Sequence, residues 1–285
     1  MISGKVSIVI LNWNQWDVTV RCLDSLRLLD YHNFDVIVVD NASDTQPPAE
    51  IPSILPGIIL IRNDANYGFG KGNNPGITRA IENGAEFIWL LNNDTVVMPD
   101  TLTLLVKKMQ ESDQTGAVGT EIWDFDNKKI MVWGGGKVNM RRFYTIHLKS
   151  ADAAPPDYLT AASILLRAAA LKQTGLFDEK FFMYWEDVDL CLRLKKCGWT
   201  LAVADGAKVL HMEGCSSESV VRDCYSFRSV IYFASKYSDN YVSAVFRITF
   251  DRIIKKLVML KLIWFFKFLY TNIRLQILFI SLFLI

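Results

Sequence analysis

Val6-Ser7-Ile8-Val9-Ile10-Leu11, followed at once by Asn12-Trp13-Asn14, is the stretch on which the fold turns. It is short, charge-free and rich in β-branched residues, the pattern of a strand buried on both faces of a parallel sheet. The pattern then repeats. An amphipathic helix is expected from about Asp17 to Leu29, then a second strand at Phe34–Asp40 closing on the polar turn Asp40-Asn41-Ala42-Ser43-Asp44. Past a proline-rich loop come a strand at Ile58–Ile61, the glycine-rich stretch Asn66-Tyr67-Gly68-Phe69-Gly70-Lys71-Gly72-Asn73-Asn74, and a helix to about Asn83. Phe87–Leu91 reads as another apolar strand, ending in Asn92-Asn93-Asp94-Thr95. Strands alternating with helices predict a doubly wound α/β sheet. Ligands of such sheets sit beyond the carboxyl ends of the strands, where Asn12, Asp40 and Asp94 all fall.

The middle of the chain is less regular. A strand is expected at Ala117–Thr120, hairpin-like material around Gly134-Gly135-Gly136, then the alanine-rich run from Thr160 to Arg167. Beyond it lies Phe182-Met183-Tyr184-Trp185-Glu186-Asp187-Val188-Asp189-Leu190, where three carboxylates crowd a helix start behind bulky aromatics. Basic residues gather in that helix's last turn and Gly198 ends it. Trp199–Val203 and Val209–His211 read as two further strands.

Composition limits the function classes. A length of 285 residues suits one large domain or a little more, and a net charge of +1 argues against a nucleic-acid specialist. Five cysteines without C-x-x-C spacing point to free thiols in a reducing compartment rather than a disulfide frame or zinc site. Met1 leads almost directly into a strand, so no signal peptide is expected and the chain is read as cytoplasmic. Character changes near Val242, which divides the chain into a domain at 1–240 and a tail at 241–285. Between Arg247 and Ile285 lie seven Lys and Arg against one acid, Asp251, and the longest uncharged run is too short to span a bilayer. As one helix, this tail would set Arg252, Lys256, Lys267 and Arg274 opposite Trp264, Phe265 and Phe268, which suits an anionic membrane surface. Packing on the domain or on a second copy is the alternative, and the oligomeric state stays open.

Each candidate residue has two readings. A carboxylate at a helix N-terminus beside aromatic walls could act as a general base, yet acids favour first turns anyway and Asp189 to Arg193 is an ordinary i,i+4 pair. Asp40 could bind a base or ribose, or simply close an Asx turn. The Gly68–Asn74 loop resembles a phosphate cradle but matches neither G-x-x-x-x-G-K-[ST] nor G-x-G-x-x-G, which excludes a P-loop kinase and a dinucleotide enzyme. Asn92-Asn93-Asp94 offers one hard carboxylate and an amide to Mg²⁺ or Mn²⁺ shared with a diphosphate, or makes a turn. His211 could add an imidazole to that ion or serve packing alone.

Taken together and in order, Val6–Asn14, Val38-Val39-Asp40-Asn41-Ala42-Ser43, Asn66-x-Gly68-Phe69-x-x-Gly72-Asn73-Asn74, Leu91-Asn92-Asn93-Asp94-Thr95, Glu186-Asp187-Val188-Asp189-Leu190-x-x-Arg193 and His211 resemble the family 2 inverting glycosyltransferases. Within them the chain is similar to the rhamnosyltransferase-like branch that builds bacterial surface polysaccharide, over about residues 5–235. The resemblance implies a GT-A fold, a Rossmann-like nucleotide-diphospho-sugar transferase, here with a C-terminal amphipathic helical extension. It implies a nucleotide-sugar donor, a lipid-linked oligosaccharide acceptor and a peripheral place on the cytoplasmic membrane face. Asp187 would be the catalytic base with Glu186 tuning it, and Asp94 and His211 would hold a divalent cation, Mg²⁺ or Mn²⁺. Asp40 would contact the base. Asn12, Asn14, Asn66, Gly68, Gly72, Asn73, Asn92, Asn93, Trp185 and Arg228 complete the implied donor side. Three positions depart from the family. Asn92 replaces the first acid of D-x-D, Ala161 stands where a glycine is usual, and Arg228-Ser229 replaces Arg-Asn. L-Rhamnose from dTDP is the implied donor sugar, with galactofuranose or another hexose from UDP as alternatives. A non-catalytic nucleotide-sugar-binding scaffold would not need Asp187. A nucleotidyltransferase would expect a basic, glycine-rich loop where Leu11–Asn14 has neither lysine nor glycine.

Overall fold

The computed structural model describes residues 3–55, 57–126, 128–151, 155–212, 219–254 and 257. The first half runs β1 (Val6–Asn12), α1 (Trp16–Leu26), β2 (Phe34–Asp40), α2 (Ile51–Ile54), β3 (Ile59–Arg62), α3 (Gly70–Glu82), β4 (Phe87–Asn92), β5 (Thr95–Val97) and α4 (Thr101–Gln110). Then follow β6 (Thr115–Asp124), β7 (Ile130–Trp133), β8 (Gly135–Asn139), β9 (Tyr144–His147), β10 (Tyr158–Leu159), β11 (Ser163–Arg167) and α5 (Ala168–Thr174). The last are α6 (Glu186–Lys196), β12 (Thr200–His211) and α7 (Ser219–Tyr237), and residues 241–254 are again helical (α8).

Among the described residues the main sheet has the order β3-β2-β1-β4-β11-β6-β12-β5, with β7 pairing antiparallel to the later half of β6. The parallel quartet β3-β2-β1-β4 is the α/β half expected from the alternation of strands and helices. The remainder is mixed, because the alanine-rich run folds as β11 and inserts antiparallel between β4 and β6. The glycine-rich middle leaves the main sheet and forms a small antiparallel sheet, β10-β8-β9. Two strands expected at the end are one, β12, whose register to β6 shifts between Val203 and Lys208. Gly206, at φ +79, supplies the left-handed residue in that irregular stretch.

Packing follows from the alternation along β1. Ile8 and Ile10 join Val36, Val38, Trp89 and the apolar stripe of α1 (Trp16, Cys22, Leu23, Leu26) in one buried cluster. Val9 and Val39 point to the other face, where α3 approaches so closely that a Cβ on Gly76 would come within 2.6 Å of Val9 and 2.7 Å of Val39. Helix α1 stops three residues earlier than periodicity suggests. Arg27, Leu28 and Leu29 donate to carbonyls three residues back, the tighter 3₁₀ pattern common at helix ends. Helix α6 keeps its acids in the first turn and its bases in the last, as the helix dipole favours.

By internal contacts the chain divides into two compact units, Met1–Asn139 with Tyr144–Phe233, and Met140–Phe143 with Ala234–Ile285. Within the second, Arg142 pairs with Asp251 through Nη2–Oδ1 at 3.0 Å. No helix of the described residues is long and apolar enough to cross a membrane. Of the tail residues named from sequence, Lys256, Trp264, Phe265, Lys267, Phe268 and Arg274 lie outside the described residues.

Candidate active site

Parallel register gathers the strand ends. Asn12 of β1 lies beside Asp40 of β2, and Leu11 lies beside Asn92 of β4. Burial then separates residues that sequence alone treats alike. Asn12 is fully buried and both ends of its amide are engaged: it donates to Ser43 Oγ (3.1 Å) and accepts from Thr19 Oγ1 (2.9 Å). Asn12 thus ties β1 to the Ser43 turn and to α1. Asn14 sits exposed at φ +55 and exchanges two hydrogen bonds with Asp44, closing the rim. Between them Trp13 keeps half its surface exposed, an aromatic face at the mouth that the sequence reading gave no role.

Asp40 makes the Asx turn and also holds an arginine. Its Oδ1 accepts from the Ser43 N–H at 3.1 Å, which is the Asx turn, and its Oδ2 pairs with Arg62 Nη1 at 2.8 Å. Arg62 also donates to the Ser43 carbonyl. Sequence reasoning missed Arg62. The signal is its position as the last residue of β3, in register with Asp40, which only strand pairing reveals.

The Gly68–Asn74 loop packs closely on its neighbours. Gly68, at φ +75, lies so near Phe182 that an added Cβ would fall 1.9 Å from the Phe182 carbonyl oxygen, which also accepts from Phe69 N–H at 2.7 Å. Gly72 clears Asn41 and Leu11. Asn41 organises the loop: it accepts from Asn63 Nδ2 and Tyr67 N, and donates to Asn66 Oδ1 and the Gly68 carbonyl. Asn73 is buried and donates to Phe69 O, one turn back. Asn66, Gly68, Gly72 and Asn73 thus hold the loop in place, with Gly68 against residue 182.

Antiparallel pairing of β5 and β12 sets His211 opposite Thr95, next to Asp94. His211 Nε2 and Asp94 Oδ1 stand 3.3 Å apart. Among the described residues Asp94 Oδ1 and His211 Nδ1 are buried atoms without a hydrogen bond. Burial pushes the Asp94 carboxyl up, while the His211 ring and the Asn92 amide pull it back down. A buried, unsatisfied carboxylate oxygen facing the Nε2 edge of an imidazole fits a hard divalent cation held between the two side chains. No three His, Cys, Asp or Glu side chains among the described residues cluster around one point, so the remaining ligands of such an ion must come from elsewhere. Asn93 donates to Thr19 and Gln15 of the α1 region.

Asn92 N–H donates to Ala162 O, and the neighbouring Ala161 N–H donates to Asp187 Oδ2 at 3.4 Å. Two adjacent residues thus tie the strand end of Asn92 to the first turn of α6. Ala161 lies outside the positive-φ region, so alanine is accommodated where the family favours glycine. Asp187 Oδ1 accepts from Val188 N–H at 2.8 Å. Burial raises its pKa to about 6 against those stabilising donors. Glu186 is buried with Oε2 unpartnered, and burial plus the Asp187 charge push its pKa well above the ordinary carboxylate range. Tyr184 and Trp185, directly before the helix, both sit at φ +71, strained backbone for large side chains. Trp185 is buried against Phe233 with ring centroids 4.6 Å apart. Asp189 is likewise structural: fully buried, it pairs with Arg193, which also caps the carbonyls of Thr174 and Leu176. Arg228 is exposed on α7, while Ser229 beside it is buried and donates to Met183 O. A cavity of about 650 Å³ beside α3, lined by Tyr67, Lys71, Arg79 and Phe177, contains none of these site residues.

Known proteins share the fold. The chain is 28% identical over 222 residues to the N-acetylglucosaminyl-diphospho-decaprenol L-rhamnosyltransferase of Mycobacterium tuberculosis, covering 69% of this chain and 72% of that protein. It is 25% identical to rhamnosyltransferase WbbL of Escherichia coli, covering 72% and 83%. Among solved structures, the mannosyltransferase PcManGT from Pyrobaculum calidifontis, in complex with GDP-Man and Mn²⁺, matches with a TM-score of 0.59 at 16% identity over 83% of this chain and 65% of that one. The fold is GT-A. Residues 7–173, more than half the chain, match the Glycosyl transferase family 2, and the protein is a glycosyltransferase of that family, in its rhamnosyltransferase-like branch.

Proposed function

We propose that the protein transfers L-rhamnose from dTDP-L-rhamnose, with inversion, to a hydroxyl of a growing lipid-linked surface polysaccharide on the cytoplasmic membrane face. The observation that carries this reading is the Asp187 carboxyl. It is held by two backbone N–H groups at a helix start, its pKa is raised to about 6, and Ala161-Ala162 join it to the strand end bearing Asn92 and Asp94. A carboxylate of that basicity is ionised at neutral pH yet accepts a proton readily. In the transfer, Asp187 takes the acceptor hydroxyl proton while the oxygen forms its bond to the anomeric carbon. The bond from that carbon to the diphosphate breaks and its electron pair leaves with the diphosphate. Asp94 and His211 would hold a divalent cation, which when bound supplies positive charge against the leaving diphosphate. Asp40, with Arg62 fixed on it, and the exposed face of Trp13 form the base-binding side. The sugar and nucleotide rest on likeness to proteins named as rhamnosyltransferases.

A donor screen tests the reading. Purified protein is given dTDP-rhamnose, UDP-galactofuranose and UDP-hexoses with a polyprenyl-diphosphate-linked saccharide, and product mass identifies the sugar moved. Rhamnose transfer lost in Asp187→Asn is the expected result. Transfer of a different sugar overturns the donor assignment, and undiminished turnover by Asp187→Asn overturns the base.

A further inference from the structure

Helix α8 is divided lengthwise. Asn240 caps it, accepting from Ser243 N–H at 3.0 Å, and Ala244 and Ile248 are buried on one side. Val242, Phe246, Phe250, Ile253, Ile254 and Leu257 lie at 43–77% exposure. At about 100° per residue these six share an arc of about 120°, opposite the buried pair. The Phe246 and Phe250 rings lie one turn apart and stack with centroids 6.2 Å apart. An apolar stripe of this size is far more than scattered surface hydrophobics.

We infer that this stripe is a docking face for an anionic lipid bilayer, lying in the headgroup region with the helix axis parallel to the surface. The inference rests on the lipid-linked acceptor proposed above and names the surface by which the enzyme meets it. Charge selects the occupant. From Arg247 to Ile285 the sequence carries seven Lys and Arg and one acid, which leaves 24 basic and 29 acidic residues in 1–246. The single acid, Asp251, is paired with Arg142. A second copy would bring two basic tails together, whereas anionic headgroups complement them.

Flotation of the full chain tests this, with vesicles of phosphatidylethanolamine and phosphatidylglycerol, and with phosphatidylcholine alone. The chain should float with the anionic vesicles, less at high salt. The paired substitution Phe246→Ser with Phe250→Ser should cut that binding roughly tenfold or more by removing the apolar contact. Val242→Glu serves as a second variant, and thermal melting confirms that both fold. Transfer to a water-soluble short-chain acceptor is read in parallel and should be unchanged in these variants. Wild type that transfers sugar but does not float overturns the docking face and leaves the function standing; flotation without transfer supports the face and counts against the function. Binding untouched by both variants, or a dimer in gel filtration that the same variants dissociate, overturns the docking face.

Discussion

Asp187 is where local chemistry can be tested most directly. Asp187→Asn keeps the size of the side chain but can accept from only one of the two N–H groups, because its Nδ2 is a donor, and it removes the basicity. It should lower kcat roughly 10²–10⁴-fold and leave donor affinity nearly unchanged, by isothermal titration beside steady-state kinetics. Because the native pKa is raised to about 6, activity should fall as pH drops through 6. Stability moves the other way. A carboxyl that holds its proton more tightly when folded contributes stability in full below its unfolded pKa, and that contribution is lost as pH rises through about 6. Asp187→Asn should therefore raise the melting temperature at pH 8 and change it little at pH 4. A Tm gain that is larger at pH 4 would remove burial as the cause of the shift. At the neighbouring pair, Asp94→Ala should abolish any rise in Tm produced by Mn²⁺, measured without donor, and a full rise in the variant would exclude Asp94 as a ligand.

At the scale of elements, the Gly68–Phe182 contact makes the donor-side loop and the approach to α6 one mechanical unit. Glycine is required there twice over, by its φ of +75 and by the 1.9 Å that a Cβ would leave to Phe182 O. Gly68→Ala must push Phe182 away, and the strained pair Tyr184-Trp185 lies between Phe182 and Asp187. We expect a loss of about 1–3 kcal/mol in stability, together with a kcat defect larger than the change in KM, by denaturant titration and kinetics. Gly84→Ala is the control, since its φ is also positive but no atom lies within 4 Å of the added Cβ. Equal kcat defects in both variants would show that backbone strain, not the link to Phe182, is at work.

At the scale of the whole molecule, neighbouring strands drawn from distant parts of the chain assemble the site. Asp94 meets His211, 117 positions later, because β5 runs antiparallel to β12. Asn92 reaches Asp187 because β11 inserts beside β4 and presents Ala161 and Ala162 at its start. The parallel quartet was legible from sequence, since charge-free β-branched runs have few alternatives to a doubly covered strand. Insertion of β11 was not, because an alanine-rich stretch suits several elements and only its neighbours decide.

Chemistry-bearing residue types in a characteristic order were settled by the sequence alone: Asp40, Asp94, Glu186-Asp187 and His211 each stand at the end of an apolar run or the start of a helix, and those positions follow from local periodicity. How the accompanying polar residues are held was decided only by the tertiary structure. Asn12, Asn73 and Asn93 look as available as Asn14 when read in line, but each finds its hydrogen-bond partner inside the protein. Arg62 enters only through its strand partner. The physical reason is that a polar group removed from water must be satisfied, and its partner is set by what packs beside it in space.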